Sequence, residues 1–196
     1  MAPKFTILCI LTVIGIVISV MNFFLGIAYQ KGSLSAVLGL LLCAVIAFVN
    51  CLVYGIVLCT MKGQDSRFMA AGVSYIIFQA LYTSGSGLFS DRWFGMIFEL
   101  AGIVLGLVFI FSFVSAVSEV LSGVDDRLAK SWDTFKKFIA GILIGILACI
   151  LMMFVLILSA LGALGLMILG IALIGMFIWQ IVLLFMTAGA MRNFRS

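Results

Sequence analysis

The chain has 196 residues, 66% of them hydrophobic and only 9% charged, with a mean hydropathy of +1.41. A water-soluble domain needs far more surface charge than this, and no hydrophilic stretch is long enough to bury a core of its own. The composition therefore predicts one all-α, polytopic integral membrane bundle over residues 1–196. The net charge of +4 gives no nucleic-acid signal, because the charges sit in short gaps between apolar runs.

The first helix is expected at 5–29, after Lys4. Its basic start and apolar body would suit a signal peptide. The lack of a convincing small-x-small cleavage site before Lys31, and the spans that follow, favour a retained helix. Gln30-Lys31-Gly32-Ser33 turns the chain into a second helix at 34–60. The isolated amides Asn22 and Asn50, towards the outer and inner ends of these spans, read as packing contacts.

A third helix at 68–88 follows the polar stretch 62–67. It is the least apolar, because Ser74, Gln79, Thr83, Ser84, Gly85 and Ser86 dilute it. Its polar residues are nevertheless ordered. Tyr75, Gln79, Tyr82 and Ser86 recur at four, three and four, which places them on one helical face. Such a stripe costs free energy against lipid and should turn into the bundle or a watery cavity.

Asp91-Arg92 marks the next turn, and the fourth helix is expected at 93–120. Glu99 is the one acid well inside a span, about 9 Å below the outer interface, while Tyr82 climbs about 22 Å from Arg67 at helical rise. In a layer about 30 Å thick the two fall at similar depth. Glu99, Tyr82 and Gln79, with Tyr75 and Ser86, thus form the candidate polar site. It would serve either a solute, cation or proton, or an interhelical hydrogen-bond clamp. Glu119, at the inner end of this helix, is expected to pair with a nearby basic residue.

The long connection that follows carries Ser122-Gly123-Val124-Asp125, the spacing of a capping box. Val124, Leu128, Trp132 and Phe135 then share one face, opposite Arg127, Lys130, Asp133, Lys136 and Lys137. A short amphipathic helix at 123–136, lying on the cytoplasmic lipid surface with Trp132 at headgroup level, fits this pattern. A charged linker or a partner-docking segment would share it. The remaining apolar region, 138–191, is too long for one span and must fold back on itself. Ser159-Ala160-Leu161-Gly162-Ala163-Leu164-Gly165 is the expected turn, giving helices at 138–158 and 166–190.

Six spans with both termini cytoplasmic put Lys4, Lys62, Arg67, Arg127, Lys130, Lys136, Lys137, Arg192 and Arg195 inside, and only Lys31 and Arg92 outside. That asymmetry obeys the positive-inside rule, and a non-crossing third segment would break it. Gly102/Gly106 and Gly141/Gly145 form small-xxx-small pairs that allow close helix packing, within the chain or to another subunit. Cys9, Cys43, Cys51, Cys59 and Cys149 read as small buried hydrophobes rather than a disulfide framework.

With no histidine, the chain lacks His-based acid–base or nucleophilic catalysis and imidazole ligation of metals. No phosphate-binding loop or carboxylate cluster suggests a cofactor or metal. These absences argue against an enzyme. Two readings follow. One is a non-catalytic membrane subunit or accessory factor, meeting protein partners through its glycine-bearing helix faces and the 120–137 segment. The other is a small transporter, or a membrane-embedded solute-binding component, acting on a small molecule or ion. The setting expected for either is the plasma membrane.

Overall fold

The computed structural model describes residues 2–30, 34–85, 92–153 and 158–193. Those residues form six helices: α1 (Ala2–Gln30), α2 (Leu34–Cys59), α3 (Arg67–Gly85), α4 (Arg92–Leu121), α5 (Asp126–Met153) and α6 (Ser159–Asn193). Their contacts divide the chain into two compact units, Met1–Ala116 and Val117–Ser196, with the end of α4 belonging to the second. The only proline, Pro3, lies in the first turn of α1, where its missing N–H costs no intrahelical bond.

Five helices are long and apolar enough to cross a membrane, and α3 supplies a shorter apolar stretch, Arg67–Leu81. Large aliphatic side chains such as Leu38, Leu42, Ile144, Met167 and Ile171 stand exposed along them. This outward hydrophobic coat is the surface a lipid solvent requires. The chain is a multi-pass membrane protein.

In the first unit the helices alternate in direction. Lys4 Nζ at the start of α1 donates to Thr60 O just beyond α2, at 2.7 Å. The ring of Phe5 meets Phe68 at the start of α3, and Phe68 meets Phe113 near the end of α4. All four chain directions are thereby fixed at one end of the unit. Towards the other end, Leu25 packs against Gly39 between α1 and α2, and Phe78 against Gly102 and Gly106 between α3 and α4. The tightest approach joins α2 to α3. A Cβ built on Gly72 would stand 2.6 Å from Gly55 O and 2.7 Å from Cys59 Sγ, so the two backbones touch where neither carries a side chain.

The second unit is an antiparallel pair of long helices. Trp132 on α5 meets Thr187 on α6, Phe135 and Phe138 flank Trp179, and Gly145 meets Leu169. The 122–125 turn between α4 and α5 is compact. Gly123, at φ +88, takes the left-handed conformation that commonly ends a helix.

Three expectations are corrected here. The surface helix at 123–136 and a separate span from 138 are in fact one continuous helix, α5. Its apolar face does not lie on lipid: Leu128, Trp132 and Phe135 are buried, the latter two against α6. The cap falls on Asp125 in place of Ser122: Ser122 N donates to Ser118 O and so closes α4, while Asp125 caps α5 by accepting from Leu128 N at 3.0 Å. Asp126 Oδ1 supplies the return contact, accepting from Gly123 N at 2.9 Å. Finally, 159–165 is helical and belongs to α6. Gly162 and Gly165 lie against Cys149 of α5, where an added Cβ would stand 2.7 Å from Cys149 O and 2.5 Å from its Sγ, respectively. These glycines serve close packing of α6 against α5, not a turn.

Candidate functional site

Of the five residues expected to form an intramembrane polar site, the structure describes the side chains of Tyr75 and Gln79. Tyr82 and Glu99 lie on α3 and α4, but their side chains, like Ser86, fall outside the described residues. Tyr75 does turn into the first unit. Its ring packs at 5.0 Å from Tyr54 on α2 and at 4.8 Å from Phe109 on α4, and Phe109 stacks on Phe113. Gln79 follows one helical turn beyond Tyr75, half-buried.

Around this aromatic knot lie polar groups from α1 and α2. Tyr54, itself 6% exposed, sets its hydroxyl towards Thr12, whose own hydroxyl donates to Leu8 O at 2.8 Å. Asn50 Nδ2 donates to Leu11 O at 3.3 Å and so links α2 to α1, the packing role expected of it. Its other amide atom is different: Asn50 Oδ1 is buried and accepts no hydrogen bond. Flipping the amide would set oxygen against the Leu11 carbonyl, so the present orientation is the only one that forms a bond. Ser74 returns its hydroxyl to Ala70 O at 2.7 Å, which leaves α3 with less free polarity than its composition suggests.

The result is a cluster of Thr12, Asn50, Tyr54 and Tyr75, drawn from three helices and closed by Phe109 from a fourth. Its described groups are neutral hydroxyls and one amide. They can recognise a hydrogen-bonding group, but they provide no acid–base couple. Tyr54 was missed in the sequence, though Asn50 and Tyr54 are spaced i, i+4 in an otherwise apolar helix, which was a usable signal.

The glycines singled out by spacing occupy varied settings. Gly102 and Gly106 lie at ordinary contact distance from the Phe78 ring, Gly145 lies close to Leu169, and nothing lies within contact of Gly141. Gly141 instead helps form a surface groove of about 320 Å³ with Lys137, Phe138, Ile142 and Leu169. Glu119 is exposed and pairs with no basic side chain among the described residues. Asp133 turns to α4, accepting from Ser118 Oγ at 2.9 Å.

Comparison of the chain with protein-family models, curated proteins and solved structures finds no match.

Proposed function

We propose that this chain is a non-catalytic integral membrane subunit or accessory factor of a larger membrane complex. In this reading it crosses the plasma membrane six times, with both termini cytoplasmic. The six-span reading is supported by α3, whose 19 residues reach about 28 Å. It lies antiparallel to both α2 and α4, and it keeps the basic residues on one side.

The observation that carries the subunit reading is the length and surface of α6. Its 35 residues extend about 52 Å, against a hydrocarbon layer of about 30 Å; even a tilt of 40° accounts for only about 39 Å of helix. Trp179, beside Phe138, stands next to the last cation of α5, Lys137, and belongs at the interface. The portion beyond it, 180–193, runs level with Arg127, Lys130 and Lys137. On that portion Val182, Phe185 and Met186 are about half exposed and continue the stripe of Ile171, Ile174 and Ile178. An apolar stripe that leaves the lipid calls for a protein surface to cover it.

A photo-crosslinking amino acid at Phe185, activated in native membranes, tests this reading. A single stoichiometric protein adduct is expected; adducts to lipid alone would overturn it. Buried Asn50 Oδ1 favours the second reading, a small transporter or solute-binding component. Thermal stabilisation by a small solute, lost in Tyr54→Phe or Asn50→Leu, would establish that alternative. Sensitivity to Glu99→Gln and Tyr82→Phe would extend the site to those residues.

A further inference from the structure

We infer that the groove on α5 and α6 is a binding site for one anionic phospholipid, with an acyl chain lying along Gly141 and the headgroup phosphate held by Lys137. The inference is independent of whether the chain acts as a subunit or a transporter. It begins with the position of the groove. Lys137 is the last charged residue of α5, and 138–153 is wholly uncharged, so the groove runs from headgroup level into the hydrocarbon layer. Below the lysine its lining of Phe138, Gly141, Ile142 and Leu169 is apolar. Apart from the neighbouring helix backbone, no atom of the described residues lies within 4 Å of a Cβ built on Gly141. A hydrocarbon chain suits this channel, whereas a soluble phosphate would find only its upper rim.

Charge identifies the headgroup. Arg127, Lys130, Lys137 and Gly141 recur at three, seven and four, so the three cations lie on one helical face that leads into the groove. All three cations are exposed. The acids nearest them are engaged elsewhere: Asp125 and Asp126 accept from backbone N–H groups of the turn, and Asp133 accepts from Ser118. No carboxylate among the described residues forms an ion pair with Arg127, Lys130 or Lys137. Basic residues above an interhelical groove are the physical basis of anionic-lipid recognition, and a zwitterionic headgroup would gain little from them.

The test is native mass spectrometry of the full chain released from nanodiscs of equimolar phosphatidylcholine and phosphatidylglycerol. Wild type should retain one phosphatidylglycerol per chain in preference to phosphatidylcholine. Lys130→Gln/Lys137→Gln should abolish the preference, at least fivefold. Gly141→Leu should expel the lipid by filling the groove, and unchanged thermal unfolding would show that this variant remains folded. Equal retention of the two lipids by wild type would overturn the assignment. So would undiminished phosphatidylglycerol retention in folded Gly141→Leu, or a wild-type dimer that Gly141→Leu dissociates, which would make the occupant a second copy.

Discussion

The indole N–H of Trp132 donates to the hydroxyl of Thr187 at 3.0 Å, joining α5 to α6 across 55 residues of chain. Both side chains are fully buried, and the Thr187 hydroxyl in turn donates to Leu183 O at 2.8 Å. The bond is therefore asymmetric in what its loss leaves behind. Trp132→Phe leaves Thr187 its acceptor, Leu183 O, and should cost about 0.5–1.5 kcal/mol beyond the smaller ring. Thr187→Val strands a buried N–H and should cost about 1–3 kcal/mol, despite conserving volume. Unfolding of both single variants and the double variant in detergent isolates the bond from the smaller ring: a coupling of about 0.5–1.5 kcal/mol is expected, and strictly additive losses would mean that the bond contributes nothing.

Glycine substitution should separate close approach from mere spacing. Gly72→Ala drives a methyl into the Gly55 carbonyl and should destabilise by about 1–3 kcal/mol. Gly102→Ala reaches only to ordinary contact with Phe78 at 3.9 Å and should be neutral or gain up to about 1 kcal/mol of helix propensity. Melting temperatures of the two single variants check the contrast.

Asp125 caps α5 where the chain leaves α4. Asp125→Ala should cost about 1 kcal/mol, and Asp125→Asn should recover most of it because an amide oxygen also accepts from a backbone N–H. Urea titration of the solubilised protein distinguishes the two. Equal loss in both variants would assign the effect to charge rather than to the cap.

Six spans require positions 64 and 91 to face opposite sides of the membrane. Single cysteines at these sites, in a background lacking the native five, should react with an impermeant maleimide from opposite faces of sealed vesicles. Labelling from the same face would reduce α3 to a segment that does not cross.

The helices were legible because long apolar runs separated by charge leave few alternatives, and α3 was kept despite its weak hydropathy because a non-crossing third segment would break the asymmetry of the basic residues. The continuity of α5 was not. Its charged face suggested a helix parallel to the membrane surface, and only the distant α6 supplies the burial for Trp132 and Phe135. The glycines failed as a guide for a related reason. Gly55 and Gly72 meet across two helices, so no spacing within either helix announces them, whereas Gly102 and Gly106 match a motif yet make only loose contact with Phe78. Of the expected polar stripe, Tyr75 packs against Tyr54, a residue that drew no notice in a helix where Asn50 alone stood out from the apolar run.

The contact of Gly55 with Gly72 also bears on how the protein is made. Helix α3 is the one described helix whose apolar stretch is short for a span and would partition poorly into lipid by itself, yet the surface it needs belongs to the helix immediately before it. As the chain emerges from the ribosome, α2 is already present when α3 arrives, so the two can enter the bilayer as a hairpin with the glycine contact formed. A bulky residue at either glycine would then act during biogenesis as well as in the finished fold: α3 would lose its docking surface at the moment of insertion, and every later segment could be threaded with the wrong orientation.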